Sequence, residues 1–334
     1  MDEPASTVVL VGASAGGLEA LTTLAAGLPE DLEAAICVVL HLPRGADSRL
    51  AEIISRAGPL PASQARGDER LVRGRIYVAP PDRHLAVRDG QLLVTRGAHE
   101  NGVRPSIDVL FRSAARWYGR RAIAVVLSGA RDDGVAGASA VGRRGGCVVV
   151  QSPDDARFPS MPAETMSRDH PDRVLPAAEL AAAVTAAVRR LSKEAAMSEN
   201  GGDEMSLETQ YATLDPEMIG QDSPPGESSE YSCPACGGVL WELEEPELLR
   251  FRCRVGHAYT AESAFEAQGE AVEAALWTAL RALQERAQLS GRLAERVGGA
   301  GAKKSQARFE ELAGEAREQA EMLRRLLAGD GSDG

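Results

Sequence analysis

The stretch Thr7–Gly17, which reads TVVLVGASAGG, decides the fold class, because a strand, a glycine-rich turn and the start of a helix follow one another there. Thr7–Val11 is β-branched and apolar, and residues 18–28 continue with the leucine spacing of a helix. The same alternation continues to about residue 190, with further strands predicted at Ala35–Leu40, Ala122–Ser128 and Cys147–Gln151. This pattern predicts an α/β fold with a mostly parallel, doubly wound sheet and helices on both faces.

The glycine-rich turn carries a serine in a pattern that presents nucleophiles. Gly12–Gly16 fits Gly-x-Ser-x-Gly, in which the glycines allow a sharp turn with Ser14 exposed on it. The N-terminus of the following helix supplies N–H groups and positive potential for an oxyanion. A phosphate loop or a plain turn is the alternative, although the stretch lacks the spacing of a dinucleotide site and the Gly-Lys-Ser/Thr ending of a P-loop.

A serine nucleophile needs a base and a carboxylate that orients the base. His41 lies at the predicted carboxyl end of the second strand, and Asp132-Asp133 follows another predicted strand. Since ligands bind at this edge of an open parallel sheet, we expect Ser14, His41 and an aspartate to lie close together. Three other histidines fit less well, because they lie in loops or polar stretches: His84, His99 and His170.

Six stretches in order along the chain resemble the catalytic domain of chemotaxis protein-glutamate methylesterases of the CheB type. They are Gly12–Gly17, Leu40–Pro43, Val78–Leu85, Arg104–Phe111, Leu127–Gly134 and Met161-Pro162. The resemblance implies that Ser14 is the nucleophile, His41 the general base and Asp133 the orienting carboxylate. It also implies that the backbone N–H groups of Ala15 and Ala130 hold the oxyanion, and that catalysis needs no cofactor. The implied reaction removes methyl esters from glutamates of methyl-accepting chemotaxis-type receptors, and the family also deamidates receptor glutamine.

The sequence departs from the family pattern in the site and at its N-terminus. Ala15 stands where the family often has Thr, and Ala130 where it often has Met, so backbone N–H groups alone remain as donors there. Asp132 replaces the usual Asn beside Asp133 and adds a second carboxylate. The best-known members begin with a receiver domain, whereas here the catalytic domain is expected to start at about residue 6 with no gating domain ahead of it.

A second cluster combines three cysteines and a histidine. Cys233, Cys236, Cys253 and His257 have the spacing Cys-x2-Cys-x16-Cys-x3-His. Three thiolates and one imidazole complete a tetrahedral zinc site without an open position, so the metal would be structural. It would hold together a ribbon-like module that is too small to fold by apolar burial alone. Unpaired cysteines and redox chemistry are the alternatives.

Composition divides the chain into four segments: a catalytic domain (1–192), an acidic flexible linker (193–230), a zinc-ribbon-like module (231–260) and a helical hairpin (261–328). Residues 1–190 carry a net charge of +1, whereas residues 191–230 carry −9. Alternatively, the acidic segment 193–230 contains a short docking segment for a partner. The hairpin is interpreted as a stability or dimerisation element, with a partner-docking arm as the alternative.

The composition also excludes function classes. A net charge of −12 without a basic cluster argues against nucleic acid as a partner. No apolar run approaches the roughly 18 residues of a membrane span, and the acidic Met1–Pro4 is unlike a signal peptide. We therefore expect a cytoplasmic protein without membrane insertion. The expected partners are the cytoplasmic domain of a methylated chemoreceptor and chemosensory signalling proteins.

Three functions remain in competition after the sequence is read. The first is a protein-glutamate methylesterase. The second, from another class, is a signalling scaffold built on an esterase fold, in which the ribbon and helices bind partners. The third keeps the triad but acts on another carboxyl ester or amide. The presence of Ser14, His41 and Asp133 favours the enzymes over the scaffold.

Overall fold

The computed structural model describes residues 3–42, 48–195, 226–243, 248–297 and 303–328. The chain divides into two compact units, Met1–Ala264 and Phe265–Gly334. The first unit joins the segments predicted as catalytic domain and ribbon, and the second contains most of two long helices. Most of the predicted linker, 193–230, lies outside the described residues.

A seven-stranded parallel sheet is the centre of the first unit. The first nine strands are β1 (Thr7–Ala13), β2 (Ala34–Leu40), β3 (Ala62–Gln64), β4 (Ile76–Val78), β5 (His84–Arg88), β6 (Gln91–Thr95), β7 (Ala122–Val126), β8 (Cys147–Gln151) and β9 (Arg173–Leu175). The sheet order is β3-β4-β2-β1-β7-β8-β9, every neighbouring pair is parallel, and β5 and β6 form a separate antiparallel hairpin. Because β1 lies between β2 and β7, the three predicted site segments leave adjacent strands at one edge.

Helices cover both faces of this sheet. They are α1 (Gly17–Gly27), α2 (Leu50–Ala57), α3 (Ile107–Tyr118), α4 (Val135–Arg143), α5 (Ser160–Asp169) and α6 (Ala177–Ala195). Side chains alternate across a strand, so Val9 and Val11 pack with apolar residues of α1, α2 and α6. Val8 and Leu10 pack with those of α3, α4 and α5 on the other face. Burial on both faces explains the continuous apolar runs in the sequence, and the predicted doubly wound fold is confirmed.

Two short edge strands of this domain were not predicted from the sequence. The edge strands β3 and β9 have three residues each, which is too short for a periodic pattern. The strand predicted to end at Ser128 ends at Val126. The Ser128 N–H donates instead to Oε1 of Gln151 at 2.9 Å, and its Oγ donates to the Ala15 carbonyl at 2.9 Å. Ser128 therefore connects the end of β7 to the turn that carries Ser14.

The cysteine-rich segment forms a small sheet of its own. Its strands are β10 (Glu227–Ser232), β11 (Val239–Leu243), β12 (Arg250–Cys253) and β13 (Ala258–Thr260), all antiparallel to their neighbours in that order. Few large apolar side chains are buried in it, chiefly Leu240, Phe251 and Tyr259. Such a small core contributes little stability by apolar burial. We call this segment, Glu227–Thr260, the ribbon.

Two long helices end the chain, as predicted. They are α7 (Ala261–Arg296) and α8 (Lys303–Leu327), and the glycine-rich break predicted at residues 298–301 lies outside the described residues. The buried positions of the pair are mostly alanines, namely Ala287, Ala294, Ala313, Ala316 and Ala320. Within the described part of the chain, no helix combines the length and the apolar character that a bilayer crossing needs.

Candidate active site

Ser14 follows the last residue of β1 and stands on a tight turn at the carboxyl edge of the sheet. Its N–H donates to the Ser128 carbonyl at 3.0 Å, and the Gly17 N–H donates to the Ser14 carbonyl at 3.0 Å. Gly16 has a φ of 69°, and a Cβ there would lie 2.9 Å from a ring carbon of Phe158. Only glycine fits this position, so the local sequence fixes where the Ser14 hydroxyl stands.

His41 is the first residue after β2, and its side chain bridges the two other predicted residues. Nδ1 lies 3.1 Å from Oγ of Ser14, and Nε2 lies 2.9 Å from Oδ2 of Asp133. Since an ionised carboxylate only accepts hydrogen bonds, Nε2 carries the hydrogen and Nδ1 is left to accept the serine proton. The His41 side chain is 17% exposed, whereas that of Asp133 is 4% exposed. The structure thus brings the three residues into one hydrogen-bonded chain with its reactive end towards solvent.

Asp133 is buried and held by several donors. Its Oδ2 accepts from the Ile107 N–H at 2.6 Å, and its Oδ1 accepts from Oγ of Ser106 at 2.7 Å and Nδ2 of Asn101 at 2.9 Å. Burial raises the pKa of Asp133, but the hydrogen bond to His41 and those from Ile107 and Ser106 outweigh it, so the pKa is lowered. The carboxylate is therefore ionised at neutral pH and fixed in orientation.

Asn101 and Asp108 lie directly beneath this triad, and the sequence analysis did not predict either as a site residue. Nδ2 of Asn101 donates to Oδ2 of Asp108 at 2.9 Å, in addition to its bond to Asp133. Oδ1 of Asp108 accepts from the Gly137 N–H at 2.6 Å, in the first turn of α4. Asp108 lies in one of the stretches that carry the family resemblance, which was a usable signal. Asn101 lies in a polar loop, where nothing in the spacing of residues marks it.

His84, which the sequence analysis set aside, is buried as the first residue of β5. Its Nε2 donates to the Ala98 carbonyl at 2.8 Å, so its Nδ1 accepts from the Ser106 N–H at 3.2 Å. Burial lowers the pKa of His84, which keeps the ring neutral and able to accept. His84 thus supports the Ser106 residue whose hydroxyl binds Asp133, but it does not contact the nucleophile.

Comparison with known proteins identifies the family. The sequence profile of the CheB methylesterase family matches residues 9–184, about half of the chain. The chain belongs to the CheB methylesterase family. The crystal structure of the Thermotoga maritima CheB methylesterase catalytic domain superposes with a TM-score of 0.52 at 30% sequence identity. The match covers 54% of this chain and 97% of that one.

Curated members of the CheB methylesterase family match over the same region. Protein-glutamate methylesterase/protein-glutamine glutaminase 4 of Myxococcus xanthus (strain DK1622) is 38% identical over 183 residues, which is 54% of this chain and 52% of that protein. Protein-glutamate methylesterase/protein-glutamine glutaminase 3 of Anaeromyxobacter dehalogenans (strain 2CP-C) is 43% identical over 176 residues, 52% of each chain. The chain therefore spans about half the length of these relatives.

The backbone beside Ser14 has N–H groups available for an oxyanion. A Cβ at Gly129 would lie 3.0 Å from Cβ of Ser14, so this loop passes directly along the serine. The Ser14 N–H is already bonded, and the Gly129 N–H donates to the Phe158 carbonyl at 3.0 Å. The N–H groups of Ala15 and Ala130 have no acceptor among the described residues. These are the two oxyanion donors predicted from the sequence, and the alanine side chains do not remove them.

Asp132 is a second buried carboxylate next to the triad. It is 2% exposed, and its Oδ1 has no hydrogen-bond partner within the described part of the chain. Burial raises the pKa of Asp132 to about 6, with further increases from the charges of Glu262 and Asp133 and a decrease from a hydrogen bond with Thr260. A group next to the triad therefore changes its charge in mildly acidic solution.

The ribbon contains a candidate metal centre, formed by the cysteine cluster. The ligand atoms of Cys233, Cys236, Cys253 and His257 all lie within 4.8 Å of one another. Nδ1 of His257 is 3.7 Å from Sγ of Cys233 and 3.5 Å from Sγ of Cys253, and Sγ of Cys236 is 3.7 Å from Sγ of Cys253. A tetrahedral zinc ion with ligand bonds of about 2.0–2.3 Å separates its ligand atoms by about 3.5–3.8 Å. The donor set and its spacing thus fit a metal ion bound by four protein ligands.

Proposed function

We propose that this chain is a serine hydrolase that removes methyl esters from glutamates in the cytoplasmic domain of a chemoreceptor. The observation that carries the proposal is the hydrogen-bonded chain from Asp133 through His41 to Ser14. The similarity to relatives named protein-glutamate methylesterase/protein-glutamine glutaminase supports the choice of substrate. This substrate lies in the cytoplasm, so the chain works there.

The reaction begins when Oγ of Ser14 attacks the ester carbonyl carbon and Nδ1 of His41 takes the serine proton. The backbone N–H groups of Ala15 and Ala130 donate to the oxyanion of the tetrahedral intermediate. The C–O bond to the methoxy group then breaks, and Nδ1 returns the proton so that methanol leaves. Asp133 accepts from Nε2 throughout and stabilises the imidazolium.

Water completes the reaction. Nδ1 of His41 takes a proton from a water molecule, whose oxygen attacks the carbonyl carbon of the glutamyl ester on Ser14. The bond between that carbon and Oγ breaks, Nδ1 returns the proton to Oγ, and the carboxylic acid formed loses its own proton to solvent. The products are a glutamate carboxylate and the free enzyme. An amide substrate follows the same steps with ammonia as the leaving group, so receptor glutamine is a second substrate in this proposal.

The metal in the ribbon is zinc in this proposal, and its role is structural. Three thiolates and one imidazole are a usual zinc set, and four protein ligands leave no position for a water or a substrate. We expect about one zinc ion per chain, measured by elemental analysis of protein purified under reducing conditions. Protein that folds as a full chain and contains no metal would contradict this assignment.

The function is tested by methanol release from methylated receptor cytoplasmic fragments. The wild-type chain should release methanol, and Ser14→Ala should lower the rate about 10³-fold or more. Ser167→Ala, which removes an exposed hydroxyl from α5, is the matched control and should not change the rate. Equal methanol release by the wild type and Ser14→Ala would overturn the assignment of Ser14 as the nucleophile.

A small activated ester separates the remaining outcomes. If the wild type cleaves that ester through Ser14 but leaves the receptor fragment methylated, the triad is functional and the substrate is a different ester. If neither is cleaved, the enzyme proposal is wrong and the scaffold interpretation replaces it.

A further inference from the structure

The ribbon contacts the catalytic domain at the turn that carries Asn101. The Asn101 N–H donates to the Ala258 carbonyl at 2.8 Å, and the Ala258 N–H donates to the His99 carbonyl at 3.3 Å. Glu100 and Ala258 form a parallel bridge between these bonds. The first residue of β13 therefore pairs with the turn as a strand would, and it fixes the backbone of Asn101.

The side chain of Asn101 connects the ribbon to the triad. On one side, Nδ2 donates to Asp133 and to Asp108, both at 2.9 Å. On the other side, Oδ1 accepts from the Thr260 N–H and from Oγ of Ser263, both at 3.2 Å. Two donated and two accepted bonds use the amide fully. Because the accepted bonds come from the end of the ribbon and the first turn of α7, they determine which way the amide hydrogens point.

Buried charges join the same two parts. Glu100 forms ion pairs with Arg112 of α3 and, at 2.8 Å, with Arg252 of the ribbon, and all three side chains are at most 2% exposed. Removing one partner from a buried ion pair is strongly destabilising, because it leaves an uncompensated charge. The contact between the ribbon and the catalytic domain is therefore part of the folded site and not a loose surface contact.

A second arginine of the ribbon acts on Asp108, the other carboxylate that Asn101 binds. Burial and the neighbouring charge of Asp133 raise the pKa of Asp108 to about 7, and the charges of Arg112 and Arg250 oppose this rise. Arg250 is 1% exposed and belongs to β12. The ribbon thus supplies positive charge beneath a group of acidic residues, in addition to the donors that fix Asn101.

We propose that Asn101 is a positioning residue through which the ribbon fixes the Asp133 carboxylate on His41, so that the ribbon sets how fast Ser14 reacts. The inference rests on the proposed function of the triad. Asn101 does not touch the substrate and acts through Asp133. Without the two bonds that Oδ1 accepts, the amide can rotate, and the Asp133 carboxylate loses a fixed donor.

The test compares three variants of the full chain with a matched control. Asn101→Ala removes the connection, Ser263→Ala loosens it from the α7 side, and the double variant combines them. Ser290→Ala, a buried serine 27 residues further along the same helix than Ser263, is the control. The measurements are kcat and KM for methanol release, and the rate constant for labelling of Ser14 by a fluorophosphonate.

Asn101→Ala should lower kcat and the labelling rate about 10–100-fold with KM within about twofold, the size of effect seen when an outer residue that orients a site is lost. Ser263→Ala should lower both rates about 3–10-fold, because one of two donors to Oδ1 remains. The double variant should be no slower than Asn101→Ala alone, since the influence of Ser263 on Asp133 passes through Asn101. Because Oγ of Ser263 also accepts from the Thr260 N–H at 2.9 Å, the thermal midpoint of each variant is measured beside the rates. Ser290→Ala should match the wild type.

The downfield proton resonance of the His41 Nε2–H provides a readout that needs no substrate. It should move or broaden in Asn101→Ala and in Ser263→Ala, and it should not change in Ser290→Ala. Unchanged rates and an unchanged resonance in folded Ser263→Ala and Asn101→Ala would overturn the inference, as would losses that multiply in the double variant. A wild type that shows the resonance but cleaves no ester would overturn the proposed function alone, and the resonance in the variants would still decide this inference.

Discussion

The sheet edge that carries the triad and the ribbon that carries the cysteines hold their functional atoms by different means. At the sheet edge, β1 and β2 are buried along their full lengths, and Ser14 and His41 follow directly from them. In the ribbon, a short antiparallel sheet with a small core places four ligand atoms within 4.8 Å. Apolar burial fixes the first geometry, whereas the second depends on a few specific side chains and on the zinc ion that we propose they bind.

Because the two regions are held by different interactions, different substitutions should inactivate or unfold them. A substitution at the triad should remove activity while the buried strands keep the fold. A change at the ligands should unfold the ribbon first, and it should reach the triad through the contacts that Asn101, Glu100, Asp108 and Asp132 make with the ribbon. The following experiments test this difference.

The largest effect is expected from Asp133→Asn. The amide can no longer hold His41 as the Nε2–H tautomer, because an Asn side chain also donates, so kcat should fall about 10⁴-fold. The thermal midpoint should change far less than the rate. Asp154→Asn, an exposed carboxylate, is the control and should change neither. A loss of the folded state that parallels the loss of activity would show that the sheet edge is not as independent as the comparison says.

Arg252→Met should lower stability more than any surface charge does. It removes the buried ion pair of Arg252 with Glu100, and breaking a buried pair costs about 3–5 kcal/mol in free energy of unfolding. Arg324→Met on α8 is the matched control, since its ion pair with Glu321 is exposed and contributes at most about 1 kcal/mol. Urea denaturation measures both variants. Equal small effects would mean that the ribbon contact is no stronger than a surface salt bridge.

Metal removal tests the ribbon without a substitution. When the metal is removed from the full chain with a strong chelator, trypsin should cleave after Arg250 and Arg252, which are buried in the intact ribbon. Esterase activity should fall about 10–100-fold, in line with the loss of an outer support of the site, and the far-ultraviolet dichroism should keep most of its intensity. Restoring zinc should reverse both changes. If the chelated protein is cut by trypsin in the ribbon and still has full activity, the triad does not depend on the folded ribbon.

The sequence predicted the sheet edge well, because its signals are local. The strand-turn-helix of Thr7–Gly17 and the apolar run before His41 specify both the strands and the residues that follow them. The cysteine spacing likewise predicted the ligand cluster in the ribbon. Asn101 could not be predicted, because its partners Asp133 and Thr260 are distant in sequence and only the folded chain brings them together.

Asp132→Asn is expected to give the smallest effect, and it depends on pH. Burial first, and then the charges of Glu262 and Asp133, raise the pKa of Asp132 from 3.8 to about 6, while a hydrogen bond with Thr260 opposes them. Between these two values the folded chain binds more protons than the unfolded chain, so the free energy of unfolding falls as pH rises through this window. An Asn side chain at position 132 does not ionise, so the variant does not lose this free energy of unfolding. The variant should therefore be more stable than the wild type by up to about 3 kcal/mol at pH 8 and should differ little from it at pH 4.

Urea denaturation of the wild type and Asp132→Asn at pH 4, 6 and 8 measures this dependence, with the exposed Asp31→Asn as the control. The control should follow the wild type at each pH. Asp132 lies between the triad and Thr260 of the ribbon, so the gain should disappear in chelated protein, where the ribbon no longer covers this carboxylate. A gain of the same size with and without metal would mean that the catalytic domain alone buries Asp132, and Asp132 would then take no part in coupling the two regions.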